Sequence, residues 1–324
     1  MIDVAVKTMN VGQMTNVNGM SVDSENGIII FKKIDILNAF DTEPEPLDFV
    51  LPGLLIGTVG AVIAPGATGK SMLALQIALA VTTGIDIAKL FSDENNNEKI
   101  KIGDVVYFAA EDPSTAIAHR LHDLGKHIKS INEYNENTRM GIEEGLTIIP
   151  LMGMQPDIFE PIWFRSIKEA ARGCRLLIID TLRRFHSLDE NDGGQMADML
   201  SKLEAIATEA GCAIIFIHHS SKAAAMNNQG DMQQASRGSS VLVDNVRWQM
   251  YLAGMSKEDA KDKKVDEVQR NIFVKCGVSK QNYGKPFPEK WLRRVNGGVL
   301  TEAHLTQCSN LTKKKEKKGN REEV

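Results

Sequence analysis

The sequence predicts an α/β fold with a mostly parallel sheet and helices on both of its faces. Three observations support this prediction. Apolar strand segments alternate with helical segments along most of the chain. Several of those strands end on an acidic residue or a histidine, and one runs into a glycine-containing loop that leads to Lys70, Ser71 and an apolar helix. Ligands bind at the carboxyl ends of the strands in such sheets, so we expect a functional site at that edge.

Composition excludes several classes of protein. The 324 residues are enough for one large domain or two small ones, and the formal net charge of −4 argues against a protein that coats DNA through overall charge. The four cysteines lie far apart without a C-x-x-C pair, which favours buried thiols over disulfides or a metal site. No apolar run reaches about 18 residues and no signal-peptide pattern opens the chain, so we expect a soluble, cytoplasmic protein without a membrane partner.

The chain divides into three regions. Residues 1–33 have a mixed composition without a strong period; a loose arm and a short hairpin both fit, and the arm is favoured. Residues 34–309 hold the predicted helices and most of the predicted strands, and form the catalytic domain. Residues 310–324 are a lysine-rich tail, which we expect to be a disordered, solvated terminus; the alternative is a weak electrostatic tether to nucleic acid.

Local patterns predict the elements of the domain in order. A short helix is expected over 34–40, and Pro44 and Pro46 follow it as breakers. A strand at 61–64 leads into the glycine-containing loop and then into a helix at 72–81. Further strands are predicted at 104–110, 146–150, 176–180, 212–217, 247–252 and 271–280, with helices at 113–126, 159–171 and 196–210. Residues 291–300 are expected to form a C-terminal β-hairpin region.

The loop over 64–71 has the spacing of a P-loop, except that Ala64 stands where the pattern has its first glycine. Its backbone N–H groups and the helix N-terminus favour a bound anion. Lys70 is expected to reach the β- and γ-phosphates of a nucleotide, and the Ser71 hydroxyl to hold Mg²⁺. Ala64 is interpreted as tolerated, because Gly66 can supply a turn with positive φ. The predicted nucleotide-binding residues are Ala64, Pro65, Gly66, Ala67, Thr68, Gly69, Lys70 and Ser71.

Two acidic residues follow apolar strands. Asp180 comes after four apolar residues and is the expected Walker B acid, which holds Mg²⁺ through Ser71 or water; a helix cap or loop acid is the alternative. Glu111 is the best candidate to polarise the attacking water if its strand neighbours the P-loop strand. Asp112 is its rival, but its position before Pro113 assigns it to cap the following helix.

A histidine pair and two arginines complete the candidate set. His218 and His219 end a further strand, and alternation lets only one of them face a nucleotide. Arg237 and Arg247 carry planar forks suited to phosphate, so each is a candidate arginine finger or, alternatively, a surface ion pair.

The long loop over 220–239 carries Lys222 and Arg237 among amides and hydroxyls, without aromatic residues. It fits a mobile solvent loop, which is the favoured interpretation of the loop alone, or a contact to a single-stranded phosphate backbone without base recognition.

Taken together, these motifs resemble the RepA-type family of plasmid replicative helicases, whose core is a RecA-like P-loop NTPase. The matching stretches are 64–71, 110–113, 179–186, 218–222, 234–249 and 277–284, and the resemblance covers roughly 34–299. It implies a homohexameric ring that hydrolyses ATP with Mg²⁺ and moves 5′ to 3′ along single-stranded DNA during plasmid replication, with active sites between subunits. Plasmid initiator or primase proteins are further implied partners.

The resemblance also implies roles for individual residues. Lys70 and Ser71 bind phosphate and Mg²⁺, Glu111 is the catalytic base, Asp180 is the Walker B acid, His219 is the γ-phosphate sensor and Arg247 is the arginine finger. The loop after His219 faces the central channel in this family, which makes Lys222 and Arg237 the candidate DNA contacts. A regulatory RecA-like ATP-binding switch and a recombinase-like ATPase without unwinding are the alternative functions.

Overall fold

The computed structural model describes residues 14–17, 20–23, 28–31, 33–91, 100–219, 240–284 and 288–305. The strands are β1 Met14–Val17, β2 Met20–Asp23, β3 Ile28–Phe31, β4 Phe49–Leu51, β5 Leu54–Leu55, β6 Val59–Ala64, β7 Val105–Ala109, β8 Leu146–Pro150, β9 Leu176–Asp180, β10 Ala213–His219, β11 Trp248–Gly254, β12 Phe273–Gln281, β13 Lys290–Arg294 and β14 Leu300–Glu302. None of the helices in these residues is long and apolar enough to cross a bilayer.

The helices alternate with the strands of the parallel region. They are α1 Ile36–Asp41, α2 Lys70–Thr83, α3 Ser114–Ile128, α4 Glu136–Gly145, α5 Pro161–Ala171, α6 Gly193–Ala210, α7 Ser240–Asn245 and α8 Lys257–Asp262. Short 3-10 helices occur at Leu182–Phe185, Arg270–Ile272 and Asn296–Gly298. The elements that the sequence predicts in the domain agree with these bounds to within a few residues, because each long segment has its own apolar period and end signals. Helices α4, α7 and α8 and strands β4 and β5 were not predicted.

The central sheet has the strand order β14-β13-β12-β11-β6-β10-β9-β7-β8. The six strands from β11 to β8 are parallel to one another, whereas β12, β13 and β14 form an antiparallel extension. The predicted fold class, a mostly parallel α/β sheet with a C-terminal hairpin region, is therefore confirmed.

Both faces of the sheet are buried. In β9, Leu176 and Ile178 belong to the apolar cluster under α2 and α3, while Leu177 and Ile179 belong to the cluster under α5 and α6. Successive side chains of a strand point to opposite faces, so a strand covered on both sides needs apolar residues at every position. This explains why the central strands are continuous apolar runs.

Helix α2 is the most enclosed helix of the domain. Every residue from Met72 to Thr82 is buried, including one amide, Gln76. That amide satisfies its polar atoms on β14: Gln76 Nε2 donates to Leu300 O at 2.7 Å, and Leu300 N donates to Gln76 Oε1 at 2.8 Å. Each bond contributes about 1 kcal/mol, and together they fasten the antiparallel extension to the helix that follows the P-loop.

The N-terminal region differs from the expected loose arm. Strands β1, β2 and β3 form a three-stranded antiparallel sheet, with Val17 paired to Met20. The two residues between that pair are Asn18 and Gly19, a dipeptide that favours a tight hairpin. This signal was present in the sequence, and the described strands of this region fit the hairpin alternative better than the favoured arm. The basic tail lies outside the described residues.

Candidate nucleotide-binding site

The P-loop connects the end of β6 to the start of α2 and is held by its own side chains. Thr68 Oγ1 donates to Pro65 O at 2.7 Å, and Lys70 Nζ donates to the same oxygen at 2.9 Å. Gly69 precedes the helix with φ 96°, a left-handed conformation that glycine adopts without strain. The first N–H groups of α2 therefore face a compact loop, as anion binding requires.

The structure corrects the reason why Ala64 is tolerated. Gly66 was expected to have a positive φ, but it does not. The residues of the loop with a positive φ are Ala67, at 61°, and Gly69. Ala64 is the last residue of β6 and is buried within the sheet. An extended strand residue needs no glycine, so the change from the P-loop pattern at this position costs the loop nothing.

Asp180 ends β9 beneath the loop. Its Oδ2 accepts a hydrogen bond from the Tyr107 hydroxyl at 2.5 Å, whereas its Oδ1 is buried and has no hydrogen-bond partner among the described residues. Burial raises the pKa of Asp180, and the hydroxyls of Tyr107 and Ser71 oppose that shift. A buried carboxylate oxygen without a donor, next to a serine hydroxyl, fits a Mg²⁺ ion and its water shell.

Lys70, His219 and Glu111 form a continuous polar chain. Lys70 Nζ lies 3.2 Å from His219 Nδ1, and His219 Nε2 lies 3.4 Å from Glu111 Oε2. An ammonium group only donates, so Nδ1 accepts and Nε2 carries the proton that it donates to Glu111. Burial lowers the pKa of Lys70, and the nearby carboxylates of Glu111 and Asp180 act in the opposite direction.

Strand order differs from the premise on which Glu111 was chosen. Its strand, β7, was assumed to lie beside the P-loop strand β6, but β10 and β9 lie between them. Glu111 still reaches the site, because the chain after β7 stays bonded to the end of β9: Ala110 N donates to Asp180 O at 2.7 Å. From there, Glu111 contacts His219 at the end of β10.

Asp112 does not cap the following helix, contrary to the prediction. Helix α3 begins at Ser114, and Pro113 occupies the cap position without a side-chain hydrogen bond. Asp112 instead forms an ion pair with Arg120, in the second turn of the helix. Pro113 lacks an N–H group, so the start of the helix has one unpaired donor fewer. The Asp112 carboxylate is therefore available to Arg120.

A cavity of about 340 Å³ lies in front of these groups. Its lining includes the P-loop, Glu111, Asp112, Arg120 and His219, and it is closed on one side by Arg294 from the C-terminal hairpin. A larger cavity, of about 950 Å³, lies at the other end of α2 around residues 82–87. The site is thus identified by its chemistry and not by its size.

Arg294 was missed by the sequence interpretation. Its guanidinium donates to Ala67 O at 3.2 Å and to Asn271 O at 2.5 Å, and within the described part of the chain it has no carboxylate partner. Burial lowers the pKa of this guanidinium, which still remains charged. A half-buried cation that touches only carbonyls beside a P-loop is suited to an anionic ligand. No local pattern indicates this contact, because it joins residues 227 positions apart.

The two adjacent histidines have opposite environments. His219 faces the cavity, whereas His218 is buried on the other side of the strand, with Nδ1 3.9 Å from Glu190 Oε1. Burial, and the proximity of His219, His186 and Lys70, lower the pKa of His218 to about 4. His218 is therefore neutral near pH 7, and the strand alternation leaves His219 as the member of the pair that faces the cavity.

Arg247 lies far from this cavity. Its backbone N–H donates to Val59 O at 3.2 Å, which places it beside the first residue of β6, and its side chain is exposed. The P-loop follows the last residue of β6, about 17 Å away along the strand. The structure thus brings together Lys70, Ser71, Glu111, Asp180 and His219 but not Arg247. Lys222 and Arg237 lie outside the described residues.

The fold is that of a RecA-like core with a P-loop at the carboxyl end of β6. The chain matches the family model described as an AAA domain (AAA_25) over residues 31–225, which is more than half of its length, and it belongs to that family. Similar solved structures include one that is described as an ATPase domain, with a TM-score of 0.51 and 16% sequence identity over 83% of this chain and 96% of that chain.

Another similar structure is a DnaB-like replicative helicase studied with primase, with a TM-score of 0.52 and 18% identity. The match covers 83% of this chain but only 64% of that one, so the chain spans less than two thirds of the helicase. At these identities the similarity concerns the fold.

Proposed function

We propose that this protein is an ATP hydrolase that moves along single-stranded DNA as a homohexameric ring and unwinds duplex DNA during plasmid replication. The observation that carries the proposal is the polar chain from Lys70 through His219 to Glu111 at the mouth of the P-loop. A protein that only binds nucleotide needs the lysine, but it has little need for a carboxylate held next to the γ-phosphate position.

The site residues divide the hydrolysis reaction among them. Water attacks the γ-phosphorus while the bond to the bridging oxygen breaks, and that oxygen leaves with ADP. Glu111 accepts the proton of the attacking water, and Lys70 neutralises charge on the β- and γ-phosphates. Mg²⁺, which Ser71 and Asp180 are placed to hold, supplies further charge neutralisation when bound. His219 donates to Glu111 without a nucleotide and can turn its N–H to the γ-phosphate instead, which makes it a sensor.

The position of Arg247 supports the ring in this proposal. An arginine finger stabilises the transition state only if it touches the transferring phosphoryl group. Arg247 is exposed at the opposite end of the parallel strands, beside Val59, so its own active site is out of reach. A neighbouring copy related by rotation can present this end to the cavity, and head-to-tail contacts of that kind close into a ring.

Two observations support single-stranded DNA as the polymer along which the protein moves. They are the family resemblance and the similarity in fold to the DnaB-like helicase. The family resemblance assigns the loop after His219 to the channel of the ring, with Lys222 and Arg237 as the candidate contacts, and its polar composition suits a phosphate backbone without base recognition. The primase named with the DnaB-like helicase makes a primase, or a plasmid initiator, a reasonable partner class here as well.

The direct test is ATPase activity with and without single-stranded DNA, beside a strand-displacement assay. We expect DNA to stimulate hydrolysis and duplex to be displaced only with ATP and Mg²⁺. Lys70→Ala should lose both activities, whereas Lys129→Ala, which changes an exposed lysine at the end of α3, should keep both. If single-stranded DNA does not change the ATPase rate and no strand is displaced, the helicase function is excluded and a regulatory ATPase is favoured. Native mass distinguishes a hexamer from a filament or dimer.

A further inference from the structure

A second cavity lies behind the contact between Glu111 and His219. Its volume is about 800 Å³, and we call it the rear cavity; it is lined by Thr181, Arg183, Arg184 and His186 among others. It shares Glu111 and His219, and no other described residue, with the nucleotide cavity of about 340 Å³. The 3.4 Å contact between Glu111 Oε2 and His219 Nε2 is therefore the partition between the two spaces.

The geometry of hydrolysis places the released phosphate next to this partition. In-line attack places the water on the Glu111 side of the γ-phosphate and the leaving ADP on the opposite side, in the P-loop. After cleavage the phosphate lies between ADP and the partition. ADP blocks its return through the P-loop, so the open volume next to it is the rear cavity.

The lining of the rear cavity includes two exposed guanidinium groups. Arg183 Nη1 donates to His186 O at 3.2 Å, which fixes the arginine against the loop while its other donors remain available. Within the described residues, neither Arg183 nor Arg184 forms an ion pair with a carboxylate. Guanidinium groups are the side chains best suited to bind phosphate oxygens in pairs.

His186 adds a buried polar group to the same wall. Its side chain is fully buried, and neither ring nitrogen has a hydrogen-bond partner among the described residues. The nearest carboxylate oxygen, Glu190 Oε1, lies 3.8 Å from Nε2. Burial and the charge of Arg183 lower the pKa of His186. Because its side chain is fully enclosed, His186 supports the wall of the cavity and leaves contact with an anion to the exposed arginines.

Acidic residues are present too, at the other side of the rear cavity. Asp157 is already engaged, since its carboxylate accepts from Phe159 N at 2.9 Å and from Ser187 Oγ at 3.1 Å, and Glu160 is exposed. Their negative charge weakens the retention of an anion. The lining therefore suits an anion that passes through the cavity more than one that stays there.

We propose that the rear cavity receives the orthophosphate product and is its exit route, with Arg183 and Arg184 as the groups that it contacts. Opening of the Glu111–His219 contact admits the phosphate, and the two arginines draw it away from ADP. The inference rests on ATP hydrolysis at the P-loop, as proposed above.

The test compares bond cleavage with product release in one turnover, in the absence of DNA. Acid quench measures cleavage, and a fluorescent phosphate-binding reporter measures release. For the double variant Arg183→Gln/Arg184→Gln we expect the interval between cleavage and release to lengthen about tenfold, the effect of losing one charge-assisted hydrogen bond. Arg165→Gln changes an exposed arginine on α5, outside both cavities, and should keep the wild-type interval.

A second variant, Ser187→Trp, tests the route without removing charge, because it places a large side chain at the rear cavity. It too should lengthen the interval. Release that follows cleavage as in wild type in both the double variant and Ser187→Trp overturns the exit route. A double variant that loses affinity for single-stranded DNA while its interval stays unchanged assigns the arginines to the DNA backbone instead. No phosphate at all in the wild-type quench means that the proposed hydrolysis itself has failed.

Discussion

The two ends of the parallel strands differ in what they hold. At the carboxyl ends, Lys70, Glu111 and His219 line one cavity, and the buried Asp180 ends β9 beneath the P-loop. At the amino ends, one exposed arginine, Arg247, stands beside the start of β6. The first group can bind a nucleotide and position water within one subunit. Under the proposed function the second acts on the nucleotide of a neighbouring copy, so the comparison separates what one chain does alone from what an assembly adds.

The largest expected effect on turnover comes from Arg247, at the amino ends of the strands. Arg247→Ala should lower kcat by about 10³–10⁵-fold, since the transition-state charge loses its finger. ATP affinity should change far less, because the P-loop of the same subunit is untouched. Steady-state ATPase and equilibrium nucleotide binding measure the two quantities. Arg172→Ala, an exposed arginine paired with Glu169, is the matched control. Wild-type turnover in Arg247→Ala would show that Arg247 takes no part in ATP hydrolysis.

Glu111→Gln tests the carboxyl end. The amide keeps the size of the side chain but cannot take a proton from water, so hydrolysis should fall by about 10²–10⁴-fold while ATP still binds. Asp112→Asn is the matched comparison, because that carboxylate is engaged with Arg120 and should matter less. A larger loss in Asp112→Asn than in Glu111→Gln would reverse the assignment of the base.

Arg294→Gln tests whether the antiparallel extension contributes to nucleotide binding at the carboxyl ends of the strands. The guanidinium touches Ala67 O and has no carboxylate partner among the described residues, so we expect nucleotide affinity to weaken about tenfold when it is removed. The neighbouring residue offers the control: Arg293 is exposed, and Arg293→Gln should bind nucleotide as wild type does. Equal affinities for the two variants would leave Arg294 a packing residue.

The last prediction concerns stability and pH, not turnover or nucleotide binding. Because the pKa of His218 is lowered to about 4 in the folded protein, from an ordinary value of 6.5, the unfolded chain binds more protons between those two pH values. Stability therefore falls as the pH drops through that window, by about 3 kcal/mol at most from this residue. Denaturant unfolding of wild type and His218→Asn should show a smaller loss in the variant. Parallel pH profiles would contradict the buried, neutral histidine.

The sequence predicted the carboxyl end better than the rest of the molecule, for a physical reason. Strands of a doubly covered sheet are local apolar runs, and the residue that follows each run arrives at the same edge whatever the strand order. Asp180 and the pair His218 and His219 could therefore be located without knowing the neighbours of their strands, and the family resemblance selected His219 from the pair. Glu111 was chosen on an incorrect strand order, and it still lies at the same edge.

Other features depend on contacts between distant parts of the chain. Arg294 reaches the P-loop only because Gln76 fastens β14 to α2, a pairing between residues 224 positions apart that no local pattern signals. The positive φ of Ala67 is imposed by the closed loop and could not be assigned from an alanine. By contrast, the pairing of β1 with β2 had a local signal in the sequence, the dipeptide Asn18-Gly19, that the prediction did not use.

The central claim is that one active site is built from two subunits. Mixing Arg247→Ala with Glu111→Gln tests it most directly, because each variant alone is expected to be nearly inactive and each carries the half that the other lacks. In a random equal mixture of rings, about a quarter of the interfaces should combine an intact Glu111 with an intact Arg247, and ATPase activity should reappear in that proportion. Activity in the mixture no higher than the average of the two variants would contradict the claim.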